Sequence, residues 1–303
     1  MASLKELRNR LTSVKSTEKI TTAMKLVAAS RLRKAQTSLE KNKNYADITQ
    51  RAVARILVSY KKEETEKKIK HILPPLFIGK PNPKNYVLIV FSSERGLCGS
   101  YNQNIAKAAS KRIGELQKQN KEVKIVCYGK KAYDILKKNF SDLIVHHEPS
   151  FASGGIFYSE AVLMIEKIMN LTKNSGFDVC EIIHSHFKSA VSRNIESMQL
   201  YPLKIEQDAM DDHLDHVGSA YFDYKPSRED ILEELSQKLL INRVFEAMLN
   251  AEASEQGARM MAMDNATQNA KDMISTLTLK YNTIRQSAIT TELTEIISGA
   301  EAI

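Results

Sequence analysis

Apolar residues recur every three to four positions at both ends of this chain and gather into short unbroken runs in its middle. Near the N-terminus, Leu4, Leu7, Leu11 and Val14 are followed by Ile20, Met24 and Val27. One step out of phase come Ala28, Leu32, Ala35 and Leu39. That spacing predicts an amphipathic helix, and the phase step predicts an irregular supercoil rather than a strict heptad. Ser3-Leu4-Lys5-Glu6 fits a capping box, in which hydroxyl and carboxylate each answer a backbone N–H of the first turn. Glycine and proline are missing until Pro74-Pro75, so the helix can run to about residue 60.

The C-terminal end repeats the pattern. Ser227-Arg228-Glu229-Asp230 is an S-x-x-D start, with acidic residues where the helix dipole favours them. Leu232, Leu235, Leu239, Ile241, Phe245, Met248 and Leu249 form one apolar stripe, which Ile274, Leu277, Tyr281, Ile284, Ile289, Leu293 and Ile296 resume. Between them, residues 251–270 are rich in Ala, Met and small polar residues. Gly257, which costs about 1 kcal/mol of helix propensity, is expected there for close backbone approach. Gly299 reads as a stop signal.

The middle alternates. Strands are predicted at 86–92, 123–128, 143–147 and 179–184, and helices at 103–119, 131–139 and 159–172. Residues 61–85 and 207–227 read as linkers. The implied fold is an antiparallel coiled coil of N- and C-terminal helices with a doubly wound, mainly parallel α/β domain inserted between them. Its parts are residues 1–60, 61–207 and 208–303. Equal rise along the two helices places paired residues at position numbers summing to about 285. Met24 then faces Met261, and the segment from Ile284 to Ile303 extends as a single helix.

Charge separates the arms. Residues 1–70 hold 18 Lys+Arg against 7 Asp+Glu, whereas residues 228–303 hold 7 against 12. The middle is nearly balanced, so the basicity lies along one helix. That suits an acidic protein partner as well as nucleic acid. With no Trp and few aromatics, base-stacking platforms are not expected. The basic N-terminus has features of a transit peptide, but Glu6 and Glu18 interrupt it and the periodicity continues to Leu39, so it reads as mature structure. No apolar stretch approaches the roughly 20 residues that span a bilayer. Cys98, Cys127 and Cys180 are scattered and odd in number, which argues against a disulfide framework and for a reducing compartment.

Three constellations have the residue types for chemistry. Gly96-Leu97-Cys98-Gly99 lies at the first strand-to-helix turn, which in α/β folds either holds phosphate on backbone N–H groups or is simply a tight turn. It lacks the third glycine of a dinucleotide fingerprint, and G-x-x-x-x-G-K-[ST] occurs nowhere. Asp211, Asp212, His213, Asp215 and His216 have the composition of a metal cluster, but in a polar linker without H-E-x-x-H or Cys partners a solvated loop is expected. His184 and His186 share one face of a strand; with no third ligand in view, they are placed at a sheet edge. No catalytic residues, cofactor or metal site are assigned.

Three stretches carry a family resemblance. They are residues 19–30 (KITTAMKLVAAS), residues 95–102 (RGLCGSYN), and residues 255–263 (EQGARMMAM) continuing to 281–293 (YNTIRQSAITTEL). Together and in this order they resemble the γ subunit of F-type ATP synthases. The resemblance implies a non-catalytic rotary central stalk. Its paired helices would stand inside a hexamer of α and β subunits, and its globular part would join the ε subunit and the c-ring. It would be peripheral, on the cytoplasmic face of a bacterial inner membrane or the matrix side of the mitochondrial one. Met24 and Lys25 match the family segment that faces an acidic loop of β, and Arg259 matches the Arg beside that Met. Arg285, Gln286, Thr290 and Glu292 match the polar set meeting a β loop near the top of the shaft. The alternative class is a basic coiled-coil scaffold that binds nucleic acid or acidic partners.

Overall fold

A computed structural model describes residues 4–67, 73–149, 155–190, 192–204 and 224–301. The chain divides into two units, one of residues 1–30 with 259–303 and one of residues 31–258. Two long helices enter both: α1 (Leu4–Lys67) and α5 (Arg228–Glu301).

The unit of residues 31–258 is an α/β sandwich. Its strands are β1 (Asn85–Phe91), β2 (Glu122–Tyr128), β3 (Ile144–Glu148), β4 (Val179–Phe187) and β5 (Arg193–Tyr201). Among the described residues they form one sheet in the order β3-β2-β1-β4-β5. β1 pairs in parallel with β2 and β4, and β2 with β3, because a helix separates each strand from the next. These helices are α2 (Tyr101–Lys118), α3 (Lys130–Phe140) and α4 (Tyr158–Ser175). The predicted elements are present, each shifted by a few residues at most. One strand was not foreseen: β5 returns antiparallel to β4 and forms the sheet's edge. Its sequence, RNIESMQLY, is half exposed, as an edge strand covered on one side allows.

The two faces of the sheet bury different sets. Leu88, Val90, Ile125 and Ile183 pack with Ile105, Ile113 and Leu116 of α2 and Leu136 of α3. On the other face, Ile89, Phe91, Val126 and Ile182 pack with Ala161 and Met164 of α4, Val53 and Ile56 of α1, and Val244 and Met248 of α5. The long helices therefore supply part of the sheet's core. A bidentate pair ties the first face together: Arg112 Nε and Nη2 donate to Glu181 Oε2 and Oε1 at 2.8 and 2.6 Å, and Ser197 Oγ donates to Oε2 at 2.8 Å. At the end of β2, Gly129 has φ 97°, and a Cβ there would lie 2.2 Å from the Ser92 carbonyl oxygen, so only glycine fits.

α1 continues to Lys67, beyond the expected stop, and α5 runs through Gly299 to Glu301 without ending there. The S-x-x-D cap is present: Asp230 N donates to Ser227 Oγ at 3.1 Å, and Ser227 Oγ donates to Asp230 Oδ2 at 2.6 Å. Ser3 of the predicted N-terminal box lies outside the described residues, as does most of the 207–227 stretch.

The predicted inner stripe of α1 needs correction. Leu7, Thr21, Ala28, Ala35, Asn42, Thr49 and Ile56 are all buried, with Val14 half buried, so every seventh position from Leu7 to Ile56 faces inward. That is an unbroken heptad position. Reading apolar residues alone hides it, because Thr21, Asn42 and Thr49 occupy it. Meanwhile Ile20 and Val27, expected on the inner stripe, are 60% and 55% exposed.

Candidate partner-binding surface of the paired helices

In the unit of residues 1–30 and 259–303, side chains fix how the two helices pair. The Thr21 and Thr267 hydroxyls lie 2.8 Å apart, and each also reaches a carbonyl in the preceding turn of its own helix, Glu18 and Met263. Four residues along, Lys25 Nζ donates to Asp264 Oδ1 at 2.6 Å. Paired numbers sum to 288 and 289, about one helical turn from the expected register. Asp264, and not Met261, therefore lies across from Met24 and Lys25. Ala28 and Ala270 are buried with Thr21 and Thr267, beside the larger Met263, so small side chains dominate the seam.

The surface of this unit is more apolar than its seam requires. Ile20, Leu26, Val27 and Leu279 are exposed beside a row of exposed bases, Lys5, Arg8, Arg10, Lys15 and Lys19. Toward the C-terminal end, Ile289, Leu293, Ile296 and Ile297 are 48–68% exposed and recur at helical spacing on one stripe. Arg285, Gln286, Thr290 and Glu292 are exposed among them. Met24 and Arg259 are half buried, and Lys25 is partly exposed although paired with Asp264. The candidate residues thus form two groups: Met24, Lys25 and Arg259 beside the seam, and the other four on the helix tip.

The remaining candidates resolve individually. The Gly96–Gly99 segment is a turn bridged by the side chains of Ser93, Cys98 and Asn102. Ser93 N donates to Asn102 Oδ1 at 3.1 Å, and Asn102 Nδ2 donates to Ser93 Oγ at 2.7 Å and Cys98 Sγ at 3.1 Å. Leu97 and Gly99 both take positive φ, which gives the tight structural turn. Cys98, Cys127 and Cys180 are all buried, and burial pushes the Cys127 thiol up to about 12. His184 and His186 are not at an edge. β4 lies between β1 and β5, and His184 is buried, which pushes its pKa down to about 4, with His186 adding to the effect. The Asp211–His216 cluster lies outside the described residues.

Gly257 also has an unexpected neighbour. A Cβ there would meet Phe187 Cε2 at 3.4 Å and Ala190 Cα at 3.6 Å, so the close approach is to the β4–β5 turn rather than to the first helix. Ser254 Oγ donates to the Ser185 carbonyl at 3.0 Å, and Phe187 N donates to Asn250 Oδ1 at 3.2 Å, fixing that turn against α5.

Comparison with known proteins agrees with the residue-level resemblance. A family model described as ATP synthase matches residues 3–303. The chain belongs to the ATP synthase gamma-chain family. It is 42% identical over 306 residues to the ATP synthase gamma chain of Rhodospirillum rubrum, with all of both chains covered. Against that of Paramagnetospirillum magneticum it is 39% identical over 303 residues, again with full coverage of both. Among solved structures, a chain of the central stalk and c-ring of the Tetrahymena thermophila mitochondrial ATP synthase superposes with a TM-score of 0.58 at 27% identity, over 82% of this chain and 99% of that one.

The family's residues were legible in the sequence, but the seam was not. A search for small or polar residues at intervals of seven, instead of apolar residues at three and four, is the signal that would have found it.

Proposed function

We propose that the chain is the central rotary shaft of an F-type ATP synthase, coupling rotation of a c-ring to conformational cycling of the surrounding α/β hexamer. The observation that carries this is end-to-end similarity to gamma chains combined with a C-terminal helix tip whose apolar stripe its own chain leaves exposed. An exposed stripe of this kind needs a second surface to cover it. An apolar sleeve at the top of the hexamer supplies that surface, with Arg285, Gln286, Thr290 and Glu292 meeting polar loops of β. The basic α1 arm complements an acidic loop of β near Met24, Lys25 and Arg259. The sheet-bearing unit, residues 31–258, joins ε and the c-ring.

In this role the chain carries torque and performs no chemistry. Different faces of the helical pair contact successive β subunits, and each contact biases a nucleotide site between open and closed. That is a coupling free energy delivered through differential contacts. Among the described residues, no helix is long and apolar enough to cross a membrane. The attachment proposed is therefore peripheral, at the cytoplasmic face of an inner membrane.

Affinity purification of the tagged chain from membranes, followed by mass spectrometry and ATPase assay, tests the reading. The α, β, ε and c subunits are expected in the preparation, with ATP hydrolysis by the complex and none by the chain alone. Recovery without α and β, or turnover by the isolated chain, overturns it.

A further inference from the structure

We propose that His184, His186 and Glu196 form a binding site for a borderline divalent cation of the zinc class near the turn end of the β4–β5 pair. The sheet brings them together. His184 and His186 are two apart on β4 and so share a face, and Glu196 on β5 is the direct cross-strand partner of His184. One donor atom from each lies within 4.8 Å of the other two, and His186 Nδ1 is 3.9 Å from Glu196 Oε2.

A second observation points to an unmet polar requirement. His184 is only 3% exposed, and its Nδ1 nitrogen is buried with no hydrogen-bond partner. A buried imidazole nitrogen left unanswered costs free energy that a hydrogen bond or a metal bond recovers. Two imidazoles and one carboxylate are the donor set that suits zinc, nickel or cobalt, leaving at least one position for water.

The geometry closes with small movements. Metal–ligand bonds near 2.1 Å require donors roughly 3.4 Å apart in a tetrahedral site, about 1.4 Å closer than the 4.8 Å outer limit found here. His184 is fixed by burial, whereas the side chains of His186 and Glu196 are 37% and 47% exposed and can turn. The backbone beneath is rigid, because Ser254 and Asn250 of α5 hold Ser185 and Phe187. Binding would staple the edge strand β5 to β4, and the shaft proposal neither requires nor supplies it.

Zinc titration of the full chain by calorimetry, with X-ray absorption at the zinc edge, is the test. One equivalent should bind, with two imidazole nitrogens in the first coordination sphere. His186→Ala and Glu196→Gln, both at partly exposed side chains, should each weaken binding by at least about ten-fold. Zinc should raise the melting temperature of the unaltered chain but not of either variant. His213→Ala/His216→Ala, which removes the other histidine-bearing acidic cluster, should leave the affinity unchanged. Absence of a stoichiometric site, affinity unchanged from the unaltered chain in His186→Ala and Glu196→Gln, or loss of binding in the His213/His216 variant would each overturn the assignment.

Discussion

The two long helices are dressed differently in the two units they enter. Within residues 31–258 they present Val53, Ile56, Val244 and Met248 to a sheet, and those side chains are fully buried. Within residues 1–30 and 259–303 their seam is built from Thr21, Ala28, Thr267 and Ala270, while Ile20, Leu26 and Leu293 stand exposed. Apolar area removed from water contributes about 25 cal/mol per Å². The first unit therefore stabilises itself. The second keeps much of its apolar area unspent, which is what a surface destined for a partner requires.

The largest expected effect separates these two roles. Leu88→Ala, at the fully buried centre of β1, should lower the unfolding free energy of the free chain by about 3 kcal/mol, as read by urea denaturation. Leu293→Ala, on the exposed tip, should change it by less than about 0.5 kcal/mol yet impair assembly with the hexamer. Amide exchange of residues 289–297 should be fast in the free chain and slow in the complex. Strong protection in the free chain would erase the contrast.

A smaller effect comes from Glu252 on α5. Burial, reinforced by the neighbouring Glu255 carboxylate, raises its pKa to about 7. The folded state therefore holds a proton there that the unfolded state releases near pH 4.5, so the native state binds more protons across that interval. Its contribution is fully present below about pH 4.5 and is lost as pH rises through 7, amounting to about 2–3 kcal/mol. Glu252→Gln should remove this slope from a plot of stability against pH. An unchanged slope would place the carboxylate in water.

The seam offers a test of smaller magnitude. Lys25→Glu sets two acids against each other and should cost the free chain only about 0.5–1 kcal/mol, because both partners are partly exposed. ATP-driven proton pumping should nevertheless fall much further than with Lys118→Glu on α2. The exchange Lys25→Glu with Asp264→Lys should restore the stability but not the pumping, if Lys25 also meets an acidic partner loop. Recovery of both would confine its role to the shaft.

The smallest effect concerns Gly257. Its space toward Phe187 admits a methyl group at ordinary contact distance, so Gly257→Ala should raise stability by up to about 1 kcal/mol through helix propensity. A loss of stability by thermal denaturation would mean the β4–β5 turn cannot yield.

Strong local signals made most elements legible. The unbroken run in β1, buried on both faces, and the three-to-four spacing of α2 need no knowledge of neighbours. β5 escaped because Arg193, Asn194 and Glu196 on a half-exposed edge carry little apolar contrast; it is a strand because β4 offers a free backbone edge. The family segments were legible as residue strings, whereas the division into a group beside the seam and a group on the tip required the pairing register.

By itself the sequence determined that two helical arms of opposite charge flank an alternating α/β middle. Periodicity and charge are written residue by residue and act over a few turns. Tertiary structure alone decided that Thr21 and Ala28 turn inward while Ile20 and Val27 turn outward. It likewise decided that Asp264 meets Lys25, and that Glu196 stands across from His184. Those outcomes depend on which element arrives opposite. A close-packed seam selects for size and shape at a seven-residue interval, and there a threonine that fits between two helices displaces a larger apolar side chain that does not.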